Sequence, residues 1–271
     1  MQQRFSGRVV LVTGGSRGIG EAVCRRIVAE GGRVMVHGRD TGDAEAIADD
    51  LGDAARCVTG DLKDAAVCED IVHGTVRAFG RIDGLVNNAG IYPRHSVEQA
   101  TAEVFDHIFH VNTRAPLLSS KAAIAAFQTQ GSAGSVVTIG SINGWSGQPD
   151  LTVYSMSKGA LMTMTRNLGD VLFREEGVRV NQINPGWVLT ENEILRKRSH
   201  GLADDWHRHL PREFCPAGRL IEPTEIAAAA VYWLADECGP ISGQVVDLEQ
   251  HPFIGRNPAK TIDRVPGGKP A

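Results

Sequence analysis

Three things are scarce in this 271-residue sequence, and each scarcity excludes a class of protein. Its five cysteines, Cys24, Cys57, Cys68, Cys215 and Cys238, contain no CxxC pair and are odd in number. That argues against a disulfide framework and for reduced thiols in a cytoplasmic setting. Positive charge is not in excess: the formal net charge is -4, so nucleic acid and anionic membrane are not expected partners. No apolar run approaches the ~20 residues that span a bilayer, and no signal-peptide pattern precedes the first strand-like segment. No Cys/His/Asp cluster has metal-ligand spacing, and His207 and His209, two apart, diverge on a helix, so no metal is expected. What remains, 42% apolar and 22% charged residues, suits a globular domain with a sizeable core. The length fits a single domain over 1–271.

Apolar, β-branched runs alternate with longer amphipathic segments. The spacing predicts strands at 8–13, 33–37, 55–58, 84–87, 134–141, 178–184 and 244–248, and helices at 19–30, 64–79, 102–128, 153–175 and 223–235. Such alternation implies an α/β fold, a doubly wound, Rossmann-like parallel sheet of seven strands with helices on both faces. Two regions break the rhythm. Segment 190–218 is long, charged and aromatic-bearing, and the tail 249–271 is rich in Pro and Gly. An excursion of the first kind is usually functional or disordered.

Thr13-Gly14-Gly15-Ser16-Arg17-Gly18-Ile19-Gly20 follows the first predicted strand and opens the first predicted helix. Glycines at such a turn bring backbone N–H groups to a pyrophosphate at the positive end of a helix dipole. Further on, Tyr154 and Lys158 lie four apart in a helical stretch and share one face. A phenol with an ordinary pKa of about 10 is too weak an acid for neutral-pH exchange. A nearby ammonium and an oxidised nicotinamide both favour the phenolate, which allows proton exchange with a substrate oxygen as hydride moves.

The glycine spacing G-x-x-x-G-x-G, the Y-x-x-x-K pair and Ser141, with twelve residues between it and Tyr154, together resemble the short-chain dehydrogenase/reductase family. The resemblance covers about residues 7 to 248 and implies a catalytic set of Asn112, Ser141, Tyr154 and Lys158. It also implies nicotinamide-cofactor contacts from Gly14, Ser16, Arg17, Gly18, Ile19 and Gly20, from Asp61-Leu62 at the adenine, and from Asn88-Ala89-Gly90 beside the adenosine. Pro185, Gly186, Val188 and Thr190, with Tyr154 and Lys158, are implied at the nicotinamide. Arg219 and the run 223–227 resemble the family's entry into its last long helix. Family members are usually dimers or tetramers, so a homo-oligomer, commonly a homotetramer, is expected.

The position matching the family's ribose-binding acid is Gly38, with Arg39 next to it and Arg17 able to reach the same place. Two guanidiniums suit a 2′-phosphate, so NADP(H) is favoured over NAD(H). A two-residue shift of register would instead bring Asp40 to the ribose.

The substrate pocket is expected to involve Ser141, Asn143, Trp145, Tyr154 and Trp187, with Tyr92, Arg94 and His95 from the loop after Gly90. Segment 190–218 resembles the family's variable lid, and its polarity points to a small hydrophilic substrate such as a sugar, polyol or hydroxy acid. The alternative is that its charges are simply a solvated face. The expected activity is hydride transfer between NADP(H) and a ketone or secondary alcohol. Two alternatives stand beside it. One is a 3-oxoacyl-carrier-protein reductase, docking its carrier on Arg94, Arg196, Lys197 and Arg198. The other is a non-catalytic nicotinamide-sensing regulator. At the end of the last predicted strand, Asp247-Leu248-Glu249-Gln250-His251 replaces a Gly-Gly turn common in the family. The tail beyond it either packs across a subunit interface, closing a neighbour's pocket, or frays.

Overall fold

A computed structural model of the chain describes residues 3–145, 147–212 and 215–252. Seven parallel strands, β1 (Val9–Val12), β2 (Arg33–Gly38), β3 (Ala55–Thr59), β4 (Gly84–Asn87), β5 (Ser135–Ile139), β6 (Arg179–Pro185) and β7 (Val245–Leu248), form one sheet in the order β3-β2-β1-β4-β5-β6-β7. Residues alternate between its two faces. Val10, Val12, Val34, Val36, Val137 and Ile139 point to one apolar cluster, while Leu11, Met35, Leu85 and Val136 point to the other. Helices α1 (Gly18–Ala29), α2 (Thr41–Leu51) and α8 (Pro223–Leu234) cover the first face. Helices α3 (Ala65–Phe79), α5 (Ala115–Gln130) and α6 (Thr152–Glu176) cover the second. With both faces buried, the strands read as near-continuous apolar runs, which is why they stand out in the sequence.

Strand order reverses between β1 and β4, whose registers pair Val10 with Gly84 and Val12 with Val86. Loops leaving the carboxyl ends of these strands must diverge to opposite faces, opening a crevice above them. Most residues expected at the cofactor or the reacting carbon lie on loops, strand ends or helix starts on that side, and Asn112 lies in a helical segment.

Three segments differ from expectation. Helix α2 was not foreseen: its buried stripe is only Ala44 and Ala48 among four acids, too small an apolar signal to stand out. Segment 102–128 is not one helix. Helix α4 (Ala102–Phe109) and α5 are joined by a π-turn at His110–Arg114, a form that accommodates one extra residue per turn and is frequent at functional sites. Within 190–218, α7 (Glu191–Ser199) is capped by Thr190, and a single turn spans Trp206–Arg208. Trp206, Cys215 and Leu220 pack there against Trp187, Leu189 and Leu210 as a separate small apolar cluster. Of the tail, residues 253–271 lie outside the described residues. Among the described residues no helix is long and apolar enough to cross a membrane, and no three potential ligands form a metal-binding group.

Candidate active site

The turn between β1 and α1 is tied to the end of β4. Asn88 donates through Nδ2 to the carbonyls of Thr13 and Gly14, each at 2.9 Å, and Thr13 Oγ1 accepts from the N–H groups of Asn88 and Ala89. Gly14 has φ +60, a left-handed conformation that favours glycine. Gly20 is required for a different reason: a Cβ there would lie 2.1 Å from Gly14 O and 2.5 Å from Asn88 Nδ2. Gly20 therefore shapes the turn from beneath, whereas Gly14, Ser16, Arg17, Gly18 and Ile19 line a cleft of about 670 Å³. Arg39, Asp61, Leu62, Asn88, Ala89, Gly90 and Thr190 line the same cleft.

His37, at the end of β2, was not foreseen as a site residue. Its Nδ1 accepts from Gly14 N–H at 3.3 Å and its Nε2 lies 3.1 Å from Gly60 O. The first contact requires a bare Nδ1, so the proton sits on Nε2 and the ring is neutral. Burial lowers its pKa, against a smaller opposing effect from the Gly60 carbonyl and Asp61. The only sequence signal was a histidine inside an otherwise apolar run, Val34-Met35-Val36-His37.

At the ribose end, Arg39 is exposed. Asp40, the competing candidate, caps α2 by accepting from Asp43 N–H at 3.2 Å. Arg17 forms an ion pair with Asp43, both side chains being substantially exposed. Burial would raise the pKa of Asp61, but the Lys63 N–H and ammonium, helped by Arg39, outweigh it and hold the carboxyl below its ordinary value.

A second cleft, about 860 Å³, adjoins the first at Ile19, Asn88, Gly90, Tyr92 and Thr190. Ser141, Asn143, Tyr154, Lys158, Pro185, Gly186, Trp187, Val188 and Arg94 all line it. Ser141 follows β5 after Gly140; its N–H donates to Asn184 Oδ1 and its Oγ accepts from Asn143 N–H at 3.1 Å. Tyr154 and Lys158 come from the first turns of α6. Lys158 Nζ lies 5.8 Å from the Tyr154 ring centroid and donates to Ile139 O at 3.0 Å. Burial pulls the Lys158 pKa down to about 8. Burial likewise pushes the Tyr154 phenol up to about 12, with Ser141 opposing. The expected lowering by the lysine is not among the influences on Tyr154: the Lys158 ammonium is engaged with Ile139 O. Asn112 sits beneath, fully buried in the π-turn. It accepts from Ile91 N–H and donates to Ile91 O and Ser157 Oγ, all between 2.8 and 3.1 Å.

Two expected substrate residues do not line this cleft. Trp145 is drawn away because its indole N–H donates to both carboxylate oxygens of Asp247 at 3.0 Å, and Arg166 lies over its ring. His95 is held by its backbone in a parallel bridge to Leu151. The expected excursion 190–218 contributes α7, through Glu193, Arg196, Lys197 and His200, and the structure adds Glu249 from the end of β7. Asp247 within β7 and Glu249 just after it act as ties. Asp247 accepts from Trp145 and Asn184, and Glu249 accepts from Trp187 N–H at 3.0 Å against Gly186.

The two clefts together suit an elongated dinucleotide, with the glycine turn meeting its central pyrophosphate. A Cβ at Gly14 would press on Ala89 Cα at 3.0 Å, so glycine there lets the turn sit close against the end of β4. The family model for short chain dehydrogenases matches residues 8–200. The chain is 33% identical over 244 residues to the NADP-dependent (R)-specific alcohol dehydrogenase of Lentilactobacillus kefiri, covering 88% of this chain and 93% of that protein. It is 35% identical over 237 residues to L-fucose dehydrogenase of Mus musculus, covering 86% of this chain and 84% of that enzyme. Among solved structures, the 3-ketoacyl-(acyl-carrier-protein) reductase of Brucella melitensis complexed with NADH superposes with a TM-score of 0.79 at 30% identity, over 90% of this chain and 97% of that one.

Proposed function

The chain belongs to the short-chain dehydrogenase family, and on that premise we propose that it transfers hydride between NADP(H) and a small hydrophilic ketone or secondary alcohol. It is an oxidoreductase acting on CH–OH groups. Ser141 donates a hydrogen bond to the substrate oxygen and orients the carbonyl. Tyr154 gives its phenolic proton to that oxygen as hydride reaches the carbon, so a ketone becomes an alcohol and the phenol becomes phenolate. Lys158, with a pKa near 8, is close enough to neutrality to exchange a proton and return it to the phenol. When bound, the nicotinamide supplies the hydride and, once oxidised, a positive charge that favours phenolate. Asn112 fixes the 91 backbone against the face of α6 that carries Lys158, through its contact with Ser157. Segment 190–218 acts as the lid that excludes water from this step.

The cofactor preference is carried by Asp40. Its carboxylate is engaged in capping α2, and no acid stands at Gly38, which leaves Arg39 and Arg17 to meet a 2′-phosphate. Arg17 must exchange Asp43 for that phosphate, but an exposed ion pair is worth only ~0–1 kcal/mol. Charge-assisted hydrogen bonds contribute roughly 1.5–3 kcal/mol. Replacing both arginines by alanine is therefore expected to raise KM for NADPH by about 10- to 100-fold while leaving KM for NADH within a few-fold. A wild-type preference for NADH would overturn this assignment.

The carrier-protein reading draws on the Brucella likeness, but three of its four docking cations are engaged. Arg94 pairs with Asp150, Arg196 with Glu193 and Arg198 with Asp204. Comparing an acyl-carrier thioester with a free ketone as substrates separates the two readings. Retention of nicotinamide binding without turnover of any ketone or alcohol would favour the sensor.

A further inference from the structure

The wall of the second cleft formed by α7 contains more positive than negative charge in reach of the substrate. Glu193 is fully engaged: it pairs with Arg196 at 2.5 Å and accepts from Trp187 Nε1 at 3.0 Å. Asp150 is held by Arg94 at 2.7 Å. Lys197, on the same wall, pairs with no carboxylate among the described residues. Its ammonium lies 5.2 Å from the ring centroid of Trp187 and 5.4 Å from that of Trp206, and these indoles stack on each other.

Aromatic faces hold a cation in place without neutralising it. Lys197 is accordingly a positioned ammonium without a paired carboxylate among the described residues; burial lowers its pKa, as do Arg196 and Arg94, with Glu193 opposing. The cluster connects to the reacting end through Tyr92. That ring meets Tyr154 edge-on at 6.3 Å, and burial raises the pKa of its hydroxyl, with Glu193 adding and Arg196 and Arg94 opposing. A molecule with its carbonyl at Ser141 and Tyr154 would extend past Tyr92 toward Lys197.

We propose that Lys197, braced on Trp187 and Trp206, binds a carboxylate at the end of the substrate remote from the reacting carbon. The substrate class is then an oxo acid or hydroxy acid rather than an uncharged sugar or polyol. This rests on the functional reading above and narrows it. A single ammonium matches a monoanion; a phosphate is better met by guanidinium forks, and the two adjacent ones are engaged with Asp150 and Glu193.

The test uses a series of oxocarboxylates, from 2-oxo to 5-oxo acids, each beside its methyl ester, with purified protein and both nicotinamide cofactors. The wild type should favour the acid of the best-fitting length by about 10- to 100-fold in kcat/KM, mostly through KM, as expected of one charge-assisted contact. Lys197→Met keeps the stem over the indoles and should bring the acid-to-ester ratio toward one; Lys197→Arg should restore most of it. An acid-to-ester ratio near one in the wild type, or a ratio that survives in Lys197→Met, overturns the proposal. Propionate, a monoanion, titrated against tryptophan fluorescence separates it from the reading it rests on. Should no ketone or alcohol turn over, that reading fails, and a saturable change in the wild type that Lys197→Met abolishes would still support the anion site. Absence of such a change would refute the site as well.

Discussion

Lys158 is 4% exposed, and burial holds its pKa at about 8 instead of 10.5. Its charge at neutral pH therefore opposes folding. At about 1.4 kcal/mol per tenfold change in proton affinity, the penalty below pH 8 is about 3 kcal/mol. Lys158→Met removes the charge and nearly conserves the volume. It also loses the hydrogen bond to Ile139 O, which returns about 1 kcal/mol. The variant should be about 2 kcal/mol more stable than the wild type at pH 7, a rise in Tm of roughly 5 °C for a domain of this size, while losing turnover. The pH dependence identifies the cause. Between 8 and 10.5 the unfolded chain retains the Lys158 proton that the folded chain releases, so wild-type stability rises with pH through that window and the advantage of the variant disappears. Tyr154 contributes the opposite slope only above pH 10 and does so in both proteins. Thermal and urea unfolding of protein stripped of nicotinamide, from pH 6 to 10, measures this directly. A variant no more stable at pH 7, or an advantage that persists at pH 10, would refute the reasoning.

Tyr154→Phe should lower kcat by about 10²- to 10⁴-fold, the range for a positioned acid, with cofactor affinity retained by calorimetry. Gly20→Ala forces its methyl into Gly14 O and Asn88 Nδ2; unfolding should show a loss of about 1–3 kcal/mol, with NADPH affinity falling more than substrate affinity. Lowered by burial, the His37 pKa makes the unfolded chain the stronger proton binder just below pH 6.5, so stability falls as pH drops through that range. His37→Gln should flatten that acid limb in a denaturation series.

How far the chain was legible depended on what each residue does. Strands buried on both faces appear as apolar runs, and β4 (Gly84–Asn87) falls where the spacing puts it. The short motifs were equally legible, because Ser141, Tyr154 and Lys158 face one cleft by virtue of a strand end and a helix turn. Helix α2 was hidden by alanines doing the work of larger apolar residues. The π-turn at Asn112 shifts the helix by one residue, a change that 3.6-residue periodicity cannot register. Trp145 was misplaced because its partner, Asp247, lies 102 positions away along the chain. His37 likewise depends on contacts with Gly14 and Gly60, distant in the chain, whereas the seat of Lys197 between Trp187 and Trp206 depends on how the intervening segment folds back.

The ties made by Asp247 and Glu249 bear on how the enzyme is born. β7 is the last strand among the described residues, and its registers place Asp247 beside Asn184. During vectorial synthesis, Ser141, Tyr154 and Lys158 leave the ribosome roughly ninety or more residues before these two carboxylates. Until then the Trp145 and Trp187 loops lack their ties to Asp247 and Glu249, so a nascent chain acquires its chemical groups early and their finished arrangement last. Completion of the site thereby waits on the synthesis of β7, and a protein cut short before Asp247 would carry every reacting group in a pocket with two unfastened walls.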